Sequence, residues 1–248
     1  MAYTDLIILF KEREKIMYKS SKLFILPILF LLGCENGNSN SKFYSQTVKE
    51  NNVKENYNPG NDSRFPKEDR DYFNEIVLGR EYESSDSGMV CKWTSDINIL
   101  VKGEKPDYLI DELYRIVEEL NDLIDPININ IVNHRSDANY IILFGSQKEY
   151  NRLAPRSIGD TEDNWGMFII NSGERIFRGT MYVDIYRCES IDGQKHLLRE
   201  ELTQSLGLTN DSYKYDNSIF QQRWTEATEF APIDRRLIKM LYNYNSKE

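Results

Sequence analysis

The stretch of this 248-residue chain best equipped for chemistry is His196-Leu-Leu-Arg-Glu200-Glu201-Leu-Thr-Gln204-Ser-Leu-Gly207-Leu-Thr-Asn210-Asp211. Glu200 and Gln204 stand at i and i+4, so on a helix they share one face. Glu201 beside them is a carboxylate in position for general-base work. Gly207 lets the chain turn, and Asn210 and Asp211 then return side-chain oxygens toward the same face. His196 lies one turn before Glu200, offset by about 40° around the helix. His196, Glu200 and Gln204 therefore form a stripe on successive turns. The chain has only two histidines, His134 and His196, so a three-imidazole zinc site is excluded. One carboxylate with two neutral amides suits a hard ion such as Ca²⁺ or Mn²⁺ better than zinc, and with one formal charge it binds weakly.

Each of these residues also has an ordinary structural role to fill. Glu200 and Gln204 are expected to hydrogen-bond each other, because polar groups packed under a sheet need partners. Glu201 is then a cleft carboxylate with no bound water to activate. His196 reads as a first-turn surface histidine, His134 as a loop residue, and Asn210 and Asp211 as turn formers. Gly207 is expected at C′ with positive φ, Leu208 packing back on the helix. Asp234, near the start of a later helix, suits the positive end of its dipole.

The elements that must hold these residues follow from periodicity. Helices are expected over Lys67–Leu78, from Pro106 to about Asp122, over a short Ser146–Leu153, from about Asp192 to Leu206, and over Pro232–Tyr242. Strands are expected at Met89–Trp93, Ile97–Val101, Ile127–Val132, Tyr140–Phe144, Met167–Ile170 and Thr180–Ile185. The order β-α-β-β-β-α, followed by a lesser C-terminal part, predicts an α+β domain with a mixed sheet and helices packed on it.

The beginning of the chain reads as an export signal. Lys19 and Lys22 precede the apolar run Leu23–Leu32, which ends in Leu31-Leu32-Gly33-Cys34, similar to a lipobox. The run is shorter than the ~20 residues that span a bilayer. Met17 is the better start, and residues 1–16 read as a mis-called beginning. Cleavage before Cys34 leaves 26 basic and 37 acidic residues, a net charge of −11. That balance argues against nucleic acid and against docking on anionic headgroups, so membrane attachment rests on acylated Cys34. Residues 35–65 are polar enough to be a disordered tether, and residues 67–248 form one domain. Cys91 and Cys188 are then either a disulfide or two buried thiols.

The frame Glu200-Glu201-x-x-Gln204-x-x-Gly207-x-x-Asn210 resembles HExxHxxGxxH, and the element order resembles the zincin fold of metzincin type. Ser218-Ile219-Phe220 stands where matrixin-like proteases carry their Met-turn, and Ile233-Asp234-x-x-x-Ile238-x-x-Leu241-Tyr242 stands where they carry the following helix. The chain is also similar to a bacterial family of unknown function, grouped with these peptidases, whose helix reads Glu-Glu-Leu-Thr-Gln-x-Leu-Gly-Leu. The resemblance covers residues 67–245. It implies ligand positions at Glu200, Gln204 and Asn210, the base position at Glu201 and the Met-turn methionine position at Phe220. It implies no standard zinc cofactor, and leaves another divalent ion open.

The expected function is that of a lipid-anchored envelope protein whose metallopeptidase-like domain binds an extended peptide or an envelope protein. Its ligand would add as a strand between Thr180–Ile185 and the motif helix. The alternatives are a hydrolase with an oxygen-ligated ion and Glu201 as base, and an envelope lipoprotein with no groove ligand.

Overall fold

The computed structural model describes residues 58–78, 90–172 and 175–242. A five-stranded sheet runs in the order β2-β1-β3-β5-β4, from β1 (Ile97–Gly103), β2 (Ile129–Ile131), β3 (Tyr140–Gly145), β4 (Gly166–Ser172) and β5 (Ile176–Asp184). β2, β1, β3 and β5 are parallel, and β4 closes one side antiparallel to β5. The hydrophobic pattern sets the order. Tyr140-Ile-Ile-Leu-Phe-Gly145 is buried at every position, as a central strand covered on both faces must be, whereas β1 alternates.

The helices are α1 (Lys67–Leu78), α2 (Asp107–Asn121), α3 (Gln147–Leu153), a single turn α4 (Asp160–Asp163), α5 (Ile191–Gln204) and α6 (Pro232–Tyr242). α2 buries Leu109, Leu113, Ile116, Val117 and Leu120, and it packs on α5 and β2. α5 runs beneath β4 and β5. Ile142, Phe144, Met181 and Val183 point into this main core, while Leu143 and Tyr182, alternating with them, meet Tyr150 of α3 on the opposite face. Each fully buried aliphatic or aromatic side chain contributes roughly 1.5–3 kcal/mol. Ser146 and Glu149 complete a reciprocal cap at the start of α3.

The mixed sheet, the motif helix beneath it and the helical C-terminal part stand as the sequence predicts: an α+β fold. Three expectations change. Ordered structure begins before residue 67: Pro59–Asn61 forms a 3-10 turn with Pro59 and Gly60 buried, and a Cβ on Gly60 would collide with the Asn74 side chain at 1.8 Å. The C-terminal end of the expected tether is therefore docked on α1. Trp93 makes only an isolated bridge to Ile176 in place of the expected strand, and Met89 lies outside the described residues. Packing holds that segment instead, since the buried Trp93 indole donates to Ser205 O at 3.0 Å.

Of the two alternatives for Cys91 and Cys188, the structure shows thiols that are not joined to each other. The Cys91 carbonyl faces Gly207 beyond one end of α5, and Cys188 Sγ faces Gly193 at the other. Fourteen residues of helical rise separate these ends by roughly 20 Å, too far for a disulfide. Finally, β5 lies between β3 and β4, so it has no free edge. Among the described residues, the strand with an unpaired side next to α5 is β4. Residues 1–57, with the expected signal segment and Cys34, lie outside the described residues, and no helix among those described is long and apolar enough to cross a membrane.

Candidate functional site

α5 starts at Ser190, whose hydroxyl accepts from Gly193 N at 3.1 Å. That cap fixes the rotation of the helix, and with it the direction of every site residue. Gly207, at φ +125°, closes the other end two residues past the C-cap Ser205, one position later than expected. A Cβ there would sit 2.4 Å from Cys91 O, so both the backbone angle and the close approach require glycine. Leu208 is fully buried behind it.

The three frame positions do not converge. Gln204 Nε2 donates to Asp211 Oδ1 at 2.6 Å. Asn210 is drawn away toward α1, its Nδ2 donating to Ile76 O at 2.8 Å and its backbone N–H to the same oxygen at 3.0 Å. Glu200 Oε2 lies 3.3 Å from His196 Nε2. The expected Glu200–Gln204 pair is thus absent: each takes a different partner, because His196 and Asp211 approach from opposite ends of the face.

His196 is not a surface residue. It is only 2% exposed, with Nδ1 2.9 Å from Ala227 O, Nε2 3.4 Å from Thr225 Oγ1 and its ring edge-on to Trp224. The loop returning after α5 covers it. Burial works against its protonation, but the hydrogen bond and charge of Glu200 prevail and raise its pKa. His134 sits exposed in a loop, as expected.

Glu201 lies beneath the first residue of the edge strand. A Cβ on Gly166 would fall 3.1 Å from Glu201 Oε1 and 3.2 Å from Cγ. Burial, then the charges of Glu200 and Asp211, push its carboxyl well above the usual range. Trp165 precedes Gly166 and meets Trp224 edge-to-face at 6.0 Å, and both indoles are partly exposed.

The chain matches, over residues 67–246, a family described as a protein of unknown function (DUF2927). The chain belongs to that family. No curated protein matches it. Among solved structures it is similar to two of myroilysin. One is 14% identical with a TM-score of 0.41, over 62% of this chain and 96% of that one. The other is 14% identical with a TM-score of 0.38, over 72% of this chain and 96% of that one.

The donor set does not fit zinc. Zinc is held by imidazole, thiolate or clustered carboxylates. Here both nitrogens of the one nearby imidazole are engaged, and both frame amides donate to other groups. Among the described residues no three His, Cys, Asp or Glu side chains form a metal-binding group.

Asp234 has a larger role than dipole compensation. Fully buried, it accepts from Ser218 Oγ at 2.6 Å, Ile219 N at 3.0 Å and Ala231 N at 2.8 Å. It thereby ties the start of α6 to the Ser218-Ile219-Phe220 turn below the site, and Ser218 Oγ lies 3.1 Å from Tyr72 OH of α1. Burial raises its pKa against the lowering effect of these donors. Phe220 is wholly buried in the core.

Sequence reading missed Arg199. It is fully buried one residue before Glu200, bonds Glu112 at 2.9 Å and Glu119 at 3.1 Å on α2, and has Phe230 beneath its guanidinium. The available signal was the i, i+7 spacing of Glu112 and Glu119 on an otherwise apolar helix face.

Proposed function

We propose that this protein is a peptide-binding module built on a zincin-type scaffold, with an extended segment of a partner adding to the outer side of β4 above α5. One observation carries the reading: the amides of Gln204 and Asn210 are committed to Asp211 and to Ile76 O. The frame positions therefore serve to fix the cleft and not to ligate. Hydrolysis with Glu201 as base would need an ion that this donor set does not gather. Strand addition uses what β4 has free, its backbone donors and acceptors.

In the same reading, acylation of Cys34 holds the domain at the cell envelope. The support for this is the Leu31-Leu32-Gly33-Cys34 sequence and its preceding apolar run. Metabolic labelling with a palmitate analogue tests it: label lost in Cys34→Ala supports attachment, and label retained refutes it.

The binding reading is tested by titrating the full chain with extended heptapeptides and with copies N-methylated at alternate residues. Binding weakened at least tenfold by one methylation pattern and unaffected by the other is expected for strand pairing. Equal weakening by both patterns, or no binding, refutes it.

A further inference from the structure

The described residues contain five buried carboxylates, and four are satisfied. Asp69 has Arg236, Glu112 has Arg115 and Arg199, Asp184 has Arg187 with three backbone N–H groups besides, and Asp234 has its three donors. Glu201, only 7% exposed, makes no hydrogen bond among the described residues, and the charges acting on it are those of Glu200 and Asp211, both acidic. A fold that pairs its other interior acids leaves this one without a hydrogen-bonding partner among the described residues, beneath the first residue of its edge strand. Gly166 sets no side chain against the carboxyl, and Trp165, the residue before it, meets Trp224.

The geometry points to a subsite for a cationic side chain, an ammonium or guanidinium, completing Glu201 while its aliphatic stem lies along Trp165 and Trp224. This rests on the peptide-binding reading and names what the peptide must carry. Three features select a cation over a neutral or acidic group. Glu200 and Asp211 keep the local potential negative even when Glu201 holds a proton. The indole faces attract cations. An acidic ligand would meet like charge on every side.

Linkage gives the inference a signature. The groups acting on Glu201 or acted on by it are Glu200, Asp211, and the phenols Tyr140, Tyr150 and Tyr182, whose own pKa values are raised by burial so that they stay neutral. Burial and its acidic neighbours raise the pKa of the free carboxyl; a cation beside it favours the ionised form. Binding therefore releases a proton, and affinity rises with pH until free Glu201 is ionised.

The test uses the full chain and blocked alanine heptapeptides with Lys, Arg, norleucine or Glu at the centre, alongside ethylguanidinium and butylammonium, which need no strand pairing. Lys and Arg peptides are expected to bind at least tenfold tighter than norleucine, with proton release, and Glu201→Gln to erase the preference while norleucine affinity is kept. Equal affinity for Lys and norleucine overturns the cation subsite and leaves peptide binding standing. If no peptide binds, saturable tryptophan fluorescence changes with the small cations, lost in Glu201→Gln but kept in His134→Ala, still support the subsite. No response to any of these probes overturns it.

Discussion

The Gln204 amide is bound to Asp211 at 2.6 Å, an i to i+7 link that spans the turn at Gly207. This link decides the character of the site. It holds the returning chain against α5 with a hydrogen bond at the place where a metal centre would use a shared ion. Together with the tie from Asn210 to Ile76, it fixes the course of the chain after α5.

Asp234 is the first residue whose loss should be felt. Asp234→Ala leaves the Ser218 hydroxyl and the N–H groups of Ile219 and Ala231 buried without an acceptor. The expected loss is about 3–5 kcal/mol, since each stranded buried group costs roughly 1–3 kcal/mol and relaxation recovers part of it. Urea unfolding followed by tryptophan fluorescence measures it, and a loss below 1 kcal/mol would refute the anchoring role.

Gly207→Ala combines a positive φ with a clash against Cys91 O. Destabilisation by about 2 kcal/mol or more is expected, beyond the 1 kcal/mol typical of a glycine replacement without a clash. Thermal unfolding of the variant beside Gly159→Ala tests this. Gly159 has φ +99° with open space around it, so it reports the backbone cost alone.

Glu112→Ala removes an acceptor from Arg199 and leaves a buried guanidinium with Glu119 only. A loss of about 3–5 kcal/mol is expected, the cost of breaking a buried pair from one side. A smaller loss in the double variant Glu112→Ala/Arg199→Met than in Glu112→Ala would identify the stranded charge as the cause.

The pH dependence of stability separates Glu201 from its neighbours. Its folded pKa lies above its unfolded one, so the native state binds the proton more tightly. Stability from this group is complete below the ordinary carboxylate range and is lost as pH rises through the folded value. Glu201→Gln removes that slope and should be more stable than the parent at alkaline pH. Parallel curves for the two proteins would contradict the assignment.

Thiol chemistry checks the cysteines. Burial pushes the Cys188 thiol up to about 11, so it should react with a thiol reagent at neutral pH only after unfolding. Reductant should leave the electrophoretic mobility of the unfolded chain unchanged, and a shift would reveal the disulfide that the structure excludes.

Local signals in the sequence were enough to place the elements. The stripes of α1, α2 and α6, the all-apolar β3 and the glycine-ended α5 follow from periodicity and capping, which act within a few residues. What the sequence hid depends on distant chain segments. His196 looked exposed because first turns usually are; residues 224–227, some thirty positions later, bury it. Glu200 and Gln204 looked like partners because they share a face; His196 and Asp211 reach them first. Asp234 showed its helix position but not the turn it anchors. The strand expected to border the cleft, β5, is an interior strand, because strand order follows from long-range pairing, which periodicity does not encode.

Zinc titration of the full chain at neutral pH, with elemental analysis of the purified protein, bears most directly on the central claim that this frame fixes a binding cleft and no longer forms a zinc centre. Zinc well below one equivalent, and no saturable binding tighter than about 10 μM, roughly −7 kcal/mol, is the predicted result. One equivalent held with sub-micromolar affinity and lost in Glu200→Ala/Gln204→Ala would contradict it.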